Sequence, residues 1–177
     1  MEEAIRNYLL ELHNRFGFFD DEEIENSPKR IAKFWDEWAQ NREYHFTVFD
    51  NVEHYNQMVI LKIPHFYSMC SHHMLPFFGT VIIGYIPSGK ICGISKLERL
   101  VKKHASRPQI QENMTQQILH DLKESLSSED VIVVVKARHL CMEMRGVRSQ
   151  GPEMTTSAIS GVFKKHNTRE EFMRLIQ

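Results

Sequence analysis

A run of β-branched residues in the C-terminal half constrains the fold more than any other feature. The segment VIVVVKARHLCMEM, residues 131–144, opens with five consecutive valine and isoleucine residues, a composition typical of a buried strand. We therefore predict a strand over residues 131–144. On such a strand His139 and Cys141 are two positions apart, so both side chains would point to the same face of the sheet.

Further strands are predicted upstream of this run. Residues 57–63 alternate with a period of two, and we expect that strand to end at Pro64. The run GTVIIGYI, residues 79–86, predicts a second strand. The Pro-Ser-Gly turn at 87–89 then predicts a hairpin with Lys90–Cys92.

The N-terminal part of the chain has helical patterns. Apolar residues recur at helical spacing over residues 2–16, and Gly17 is a plausible stop. Ser27 offers an N-cap, with Pro28 at the first position of a second helix that ends near Ala39. We predict a helical arm over residues 1–56 and a second, larger domain over residues 57–177.

Two helices are predicted between the two strand regions. Ser95-x-x-Glu98 has the form of a capping box, and that helix would end before Pro108. A second helix is predicted over residues 109–126, with a buried stripe of Met114, Ile118, Leu122 and Leu126. A final strand at Met154–Phe163 and a short helix capped by Thr168-x-x-Glu171 complete the chain.

The order of these elements predicts an α+β fold. Strands joined as two hairpins form an antiparallel sheet, and the two helices between the hairpins must cover one face of it. The edges of so small a sheet need protection, and pairing with another subunit is one solution.

Composition excludes several classes of protein. The net charge of −1 creates no global field that would attract nucleic acid or a membrane surface, so an anionic ligand needs a local basic cluster. The chain has no apolar run long enough to cross a bilayer, and its first residues, MEEAIRNY, lack the basic start of a signal peptide. The three cysteines are too few for a disulfide framework. We expect a cytoplasmic protein.

The sharpest chemical motif is Cys-Ser-His-His at residues 70–73. Cys70 and His73 have the Cys-x-x-His spacing that allows both side chains to reach one metal ion, and Cys141 offers a third soft ligand. Two thiolates and one imidazole suit zinc, and three protein ligands leave a fourth position for water. The same spacing also arises by chance, and buried cysteines are common in cores. The alternative that these cysteines only pack in the core therefore stays open.

The remaining cysteine and histidines have no partner pattern. We interpret Cys92 as a packing residue, since no histidine lies near it in the sequence. The histidines without a partner pattern are interpreted as exposed or internally hydrogen-bonded, and they include His13, His45, His54 and His104.

Four blocks over roughly residues 65–172 give the chain a family resemblance. They are FYSMCSHHMLPFFGTVIIGYIPSGKICGISKLERLV, RPQIQENMTQQI, ARHLCMEMRGVRS and GVFKKHNTREEF. In sequence and order they closely resemble the zinc-dependent type I GTP cyclohydrolases, and SPKRIAKFWDEW matches more loosely. The resemblance implies the tunnelling fold, in which two hairpins flank two helices, and a homodecamer of two pentamers with active sites at subunit junctions.

The resemblance also implies a reaction and residue roles. GTP and water would give 7,8-dihydroneopterin triphosphate and formate, the first step toward folate, tetrahydrobiopterin or deazapurine. Zinc would be held by Cys70, His73 and Cys141. Proton transfer would fall to His72, His139 and Ser95, guanine binding to Glu112 and Gln111, and triphosphate binding to Lys96, Arg99, Arg145, Arg30 and Lys33, the last two from a neighbouring subunit.

Each of these roles has an ordinary alternative. His72 could orient a metal ligand, and Ser95 could simply cap its helix. Glu112 could be an exposed acid in a first helical turn, and the basic residues could be solvated surface charges. Ser71 departs from the acidic residue that the family often has at this position, which affects local charge but not the ligands.

Two other functions compete with the cyclohydrolase. A nitrile reductase of the same fold uses NADPH and a cysteine nucleophile, and would not need Cys70, His73 and Cys141 together. A non-catalytic binding module stabilised by zinc would have a closed site of four ligands, whereas the sequence offers three.

Overall fold

Residues 1–40 and 45–177 are described by a computed structural model. The chain divides into two compact units, Met1–Asn41 and Arg42–Gln177. The sequence had placed the end of the arm at residue 56, and that domain boundary stays a prediction. Among the described residues, no helix combines the length and apolar character needed to cross a bilayer.

The first unit contains two helices, α1 (Glu2–Phe16) and α2 (Asp21–Ala39). Helix α1 ends at Gly17, whose left-handed backbone (φ 68°) confirms the predicted stop. The predicted N-cap at Ser27 is wrong, because α2 begins earlier with a capping box formed by Asp20 and Glu23. The side chains of Asp20 and Glu23 accept hydrogen bonds from each other's backbone N–H groups, which fixes the start of the helix at this point. Pro28 therefore lies inside the helix.

The second unit is built on a five-stranded sheet with strand order β5-β2-β3-β6-β7. Its antiparallel members form two hairpins, and β5 is parallel to β2. The strands are β2 (Val59–Cys70), β3 (Pro76–Tyr85), β5 (Pro108–Gln109), β6 (Val131–His139) and β7 (Met154–Ile159). Helices α3 (Ile94–Ala105) and α4 (Gln111–Leu126) lie between the hairpins in sequence. The α+β class and the paired-strand order predicted from sequence are confirmed.

Strand β2 does not end at Pro64, as the sequence had predicted. It continues to Cys70, with a register shift against β3 between Ile63 and Phe66. Proline lacks a backbone donor and is tolerated at bulges and unpaired edges. Both conditions hold here, because β5 pairs only with Met69 and Cys70 on that side of the strand.

The predicted hairpin between residues 79–86 and Lys90–Cys92 is also wrong. Both sides of β3 are already paired, with β2 and β6, so no edge remains for another strand. Strand β4 (Lys90–Cys92) instead pairs antiparallel with β1 (Val48–Asp50) in a separate two-stranded sheet.

Two strand ends differ from the sequence prediction. Strand β6 ends at His139 and is followed by a one-turn helix, α5 (Leu140–Glu143). The last strand ends at Ile159 rather than Phe163, because Gly161 has a positive φ of 54° that starts a 3-10 turn.

The main core lies between the sheet and helices α3 and α4. The odd-numbered residues of β6 from Val131 to Ala137 face this core, and the predicted α4 stripe is confirmed, since Met114, Ile118, Leu122 and Leu126 are at most 1% exposed. On the opposite face, Ile82, Ile132 and Val134 pack with Phe163 and with Phe172 of α6 (His166–Leu175).

Two predicted capping boxes are absent from the structure. Helix α3 begins at Ile94 with Gly93 as its N-cap, so Ser95 lies inside the first turn and does not cap it. Helix α6 has Lys165 as its N-cap, which places Thr168 inside that helix.

Candidate active site and metal centre

The turn between β2 and β3 presents the Cys-Ser-His-His motif. The carbonyl oxygen of Cys70 accepts hydrogen bonds from the backbone of Met74 at 2.8 Å and of His73 at 3.3 Å, and the Cys70 N–H donates to Leu75 at 2.9 Å. Met74 has a positive φ of 53°, a costly conformation for a residue with a long side chain. This closed turn fixes the directions in which the two histidines leave the backbone.

Three potential metal ligands converge next to this turn. The ligand atoms of Cys70, His73 and Cys141 all lie within 4.8 Å of one another, and Cys70 Sγ is 3.7 Å from His73 Nδ1. Tetrahedral zinc, with bonds of about 2.3 Å to sulfur and about 2.0 Å to nitrogen, would place those two atoms about 3.5 Å apart. The donor set and its spacing therefore fit zinc.

Cys141 reaches the site by a route that the sequence did not predict. It lies on α5 and not on a strand, so the inference that His139 and Cys141 share one strand face is wrong. Burial raises the pKa of the Cys141 thiol, the nearby Cys70 raises it further, and the positive charge of Arg145 opposes them. A bound cation would favour the thiolate that this environment disfavours.

His139, the last residue of β6, is held on two sides. Its ring stacks on buried Phe77 of β3, with centroids 4.8 Å apart and planes 1° apart. Its Nε2 lies 2.7 Å from Oε1 of Gln111 on α4. Burial lowers the pKa of His139, and the negative charge of Glu112 opposes that effect. The imidazole is therefore biased toward its neutral form.

The side chain of Gln111 defines the tautomer of His139. Gln111 is only 1% exposed, and its Nε2 donates to the carbonyl oxygens of Val135 and Met154 and contacts Thr156 Oγ1, each at 3.1 Å. Because two carbonyls require the amide N–H groups, Oε1 must face the histidine. An amide oxygen only accepts, so the His139 Nε2 carries a hydrogen, and Nδ1 holds the free lone pair of the neutral ring.

The other predicted proton-transfer residues are solvent-accessible. His72 is exposed, and its Nδ1 lies 4.0 Å from Cys70 Sγ. Ser95 is exposed in the first turn of α3.

The predicted substrate-binding residues lie on several elements. Glu112 is exposed in the first turn of α4, beside the buried Gln111. Lys96 is partly buried and Arg99 is exposed, both on α3. Arg145 is exposed shortly after α5, and its charge is felt at Cys141.

Arg30 and Lys33 belong to the first unit. Both are exposed on α2, and Lys33 Nζ lies 3.6 Å from a Glu37 carboxylate oxygen. Their predicted contact with triphosphate involves another subunit and stays a prediction.

A buried polar network that the sequence did not reveal supports the Cys-Ser-His-His turn. Gln109 of β5 pairs with Cys70 and accepts a hydrogen bond from the Ser71 N–H at 3.0 Å. Its side chain donates to the backbone oxygen of His104 at 2.8 Å, and His104 Nε2 lies 2.9 Å from Asp121 Oδ2. His104 is thus internally hydrogen-bonded, as expected. Its partner Asp121 lies on α4, whereas His104 lies on α3, so no pattern within one helix could predict this contact.

Cys92 packs as expected against the main core. Its Sγ lies 3.6 Å from the Tyr85 hydroxyl, and burial raises the pKa values of both groups.

Comparison with known proteins identifies the family. The sequence model of GTP cyclohydrolase I matches residues 1–177. GTP cyclohydrolase 1 of Aquifex aeolicus is 47% identical over 159 residues, covering 89% of this chain and 86% of that protein. GTP cyclohydrolase 1 of Wolinella succinogenes is 49% identical over 182 residues, covering 98% and 94%. The Sulfurihydrogenibium protein of the same name is 44% identical, covering 99% and 93%. With its fold, its Cys-His-Cys cluster and these matches along its full length, the chain belongs to the GTP cyclohydrolase I family and is an enzyme of that type.

Proposed function

We propose that this enzyme converts GTP and water to 7,8-dihydroneopterin triphosphate and formate at a zinc site formed by Cys70, His73 and Cys141. The observation that carries the proposal is the convergence of these three soft ligands beside a half-buried histidine of defined tautomer. Family membership and the names of the curated relatives support GTP as the substrate.

The metal site has the composition of a catalytic centre. Three protein ligands leave one coordination position for water, whereas structural zinc sites are closed by four. When bound, zinc supplies Lewis acidity that makes water nucleophilic near neutral pH. The two cysteines and His73 would hold the zinc and so would set where that chemistry takes place.

Proton transfer is assigned to two histidines of different character. His72, exposed on the turn, would protonate N7 of guanine as water adds to C8. His139 would handle a second proton through Nδ1, since its Nε2–H is engaged by Gln111. Ser95, in the first turn of α3, would take part in the later rearrangement of the opened ribose.

Glu112 is the proposed reader of the guanine base. Its carboxylate is exposed at the start of α4 and can accept two near-parallel hydrogen bonds from the N1–H and the exocyclic amine. Its charge acts on His139, which supports a position near the reacting ring. In this proposal Gln111 contributes by orienting His139, because its side-chain donors are already engaged with protein acceptors.

The triphosphate requires a cluster of cations. Lys96 and Arg99 lie three residues apart and share one face of α3, and Arg145 follows the turn that carries Cys141. We assign these residues to phosphate binding. Arg30 and Lys33 would be contributed by a neighbouring subunit.

Sites shared between subunits require a homo-oligomer, and the family resemblance implies a decamer of two pentamers. Among the described residues, β7 is the last strand of the five-stranded sheet, and its outer edge is available for pairing with another copy. Light scattering on the purified protein tests the assembly, and a fully active monomer would contradict it.

The three free thiols fit a reducing compartment and support a cytoplasmic location.

A direct assay with matched cysteine variants tests the function. The purified protein is incubated with GTP, formate and the oxidised fluorescent pterin are measured, and zinc is counted per chain. We expect about one zinc per chain, and loss of both metal and activity in Cys70→Ser and Cys141→Ser. Cys92→Ser is the control and keeps both, because Cys92 lies outside the ligand cluster.

The outcomes separate the competing functions. Full zinc content and normal turnover in Cys70→Ser and Cys141→Ser would contradict the ligand assignment. NADPH oxidation when NADPH and a nitrile substrate are added, with no pterin from GTP, would favour the nitrile reductase. A metal site with four protein ligands and no turnover would favour the binding module.

A further inference from the structure

Helix α5 carries a metal ligand although it is only four residues long. It spans Leu140–Glu143 and includes Cys141, and the backbone N–H of Met144 donates to Leu140 at 3.0 Å. A single helical turn does not maintain itself in water, because nucleation costs more than one such hydrogen bond returns. The position of Cys141 must therefore be fixed by contacts outside the turn.

The strongest such contact is an ion pair between Arg138 and Glu143. Arg138 Nε donates to Glu143 Oε1 at 2.8 Å and Nη2 donates to Oε2 at 2.5 Å. This two-point geometry is the strongest and most directional pairing of a guanidinium with a carboxylate. The side chain of Glu143 is only 5% exposed, whereas that of Arg138 is 46% exposed. The carboxylate therefore depends on Arg138 to compensate its buried charge.

Arg138 is itself fixed on the sheet. It is the penultimate residue of β6, and the register pairs it with Phe78 of β3. Its guanidinium carbon lies 5.8 Å from the centroid of the Phe78 ring, within the range of a cation–π contact. The ion pair therefore joins α5 to two neighbouring strands.

Arg138 and Glu143 lie on either side of the metal ligand Cys141 in the sequence. Cys141 lies inside the chain segment that the Arg138–Glu143 pair closes, and its side chain packs against the main core. Arg138 projects from the opposite face of β6, since its neighbour Ala137 faces that core. The segment consequently wraps the end of β6 and is held on both faces of the sheet.

We propose that Arg138 and Glu143 are positioning residues for the metal site: their ion pair fixes α5 so that Cys141 reaches the ion held by Cys70 and His73. The inference deepens the proposed function and rests on its zinc site. Without the ion pair, α5 would sample other orientations, and binding zinc would have to restore the productive one. The cost would appear as weaker metal binding.

Zinc affinity, measured by competition with a chromophoric chelator, tests this inference. We expect Arg138→Met and Glu143→Gln to raise the Kd for zinc about 10–100-fold, the usual effect of losing a contact that supports a ligand. Arg138→Lys keeps the charge but not the two-point geometry, so its Kd should lie between those of Arg138→Met and the wild type. With Co²⁺ in place of zinc, the thiolate-to-cobalt absorption should weaken in the same order.

The control is Glu170→Gln, which removes an exposed ion pair with Arg174 on α6. It should leave both the zinc Kd and the cobalt spectrum unchanged. If Arg138→Met does not fold, the double variant Arg138→Met/Glu143→Met, which leaves no unpaired charge, takes its place with the same expected rise in Kd. A folded variant lacking the ion pair whose Kd stays within about twofold of wild type overturns the inference.

Cys70→Ser separates this failure from failure of the site itself. If Cys70→Ser binds zinc as tightly as the wild type, the metal site is wrong and the inference falls with it. If Cys70→Ser loses zinc while Arg138→Met does not, the site stands and the positioning role alone is refuted.

Discussion

Replacing Gln111 by leucine tests whether this residue orients His139 or binds the substrate. The side chain is 1% exposed and connects three parts of the fold. Its amide nitrogen reaches β6 at Val135 and β7 at Met154, and its oxygen reaches His139. Leucine has a similar volume but can make none of these hydrogen bonds, so the variant removes the polar contacts without opening a large cavity.

The expected loss of stability follows from the contacts. The carbonyl oxygens of Val135 and Met154 and the Nε2–H of His139 lose the partner that Gln111 supplies, and each hydrogen bond contributes about 1 kcal/mol net. Burial of the apolar leucine returns roughly 1 kcal/mol. The free energy of unfolding should therefore fall by about 2 kcal/mol, which corresponds to a decrease in Tm of roughly 4–8 °C for a chain of this length.

The kinetic effect should fall on kcat. A histidine free to rotate or to change tautomer loses part of the 10²–10⁴-fold that general acid–base catalysis typically supplies, so we expect kcat to fall about 10–100-fold. KM for GTP should stay within about threefold of the wild-type value, because Gln111 acts through His139 and not on GTP itself. Loss of a binding contact would instead raise KM and leave kcat unchanged. Thermal unfolding and steady-state kinetics of pterin formation measure the two effects.

The matched control is Gln116→Leu, the same substitution at an exposed position of the same helix. It should change the free energy of unfolding by less than about 0.5 kcal/mol and leave kcat unaffected. Raised KM with normal kcat in Gln111→Leu would show that the side chain binds substrate. Normal stability together with normal kcat would refute the hydrogen-bond reasoning.

Three further predictions concern the base, the turn and the buried histidine. Glu112→Gln should lower kcat/KM for GTP about 10–100-fold, because it leaves guanine donors unpaired, and an unchanged kcat/KM would exclude base reading. His72→Ala should retain zinc by metal analysis yet form little pterin, and loss of zinc would instead make His72 a ligand or support. Burial lowers the pKa of His104 from its ordinary value near 6.5, so the unfolded chain takes up a proton first and stability should fall as pH drops below about 6.5. Tm measured from pH 7.5 to 5.5 should show this slope, and the slope should be smaller in His104→Gln. Asp121 does not contribute to it. Burial raises the pKa of Asp121, but hydrogen bonds from Lys103 and His104 outweigh burial and lower it, so this carboxyl titrates below that range.

The sequence by itself determined the order of the elements and the chemistry of the site. The α4 stripe and the stop at Gly17 were readable because they depend on residues within one or two turns of each other. The Cys-x-x-His spacing was readable for the same reason. Cys141 was predicted as a third ligand from its chemistry, the resemblance to a known family supported that set, and the structure brings the three ligand atoms together.

Only the tertiary structure decided how strands pair and how the site is supported. Local patterns could not show that β3 has no free edge for Lys90–Cys92, because strand pairing depends on residues far apart in sequence, here those of β2 and β6. Nor could they show that β6 ends at His139, since the helix that follows has only four residues and is too short to form by its own propensity. Gln111 and His139 are 28 residues apart in sequence, and their hydrogen bond exists because α4 packs against β6. Contacts of that kind depend on how elements pack together, which no periodicity within either element encodes.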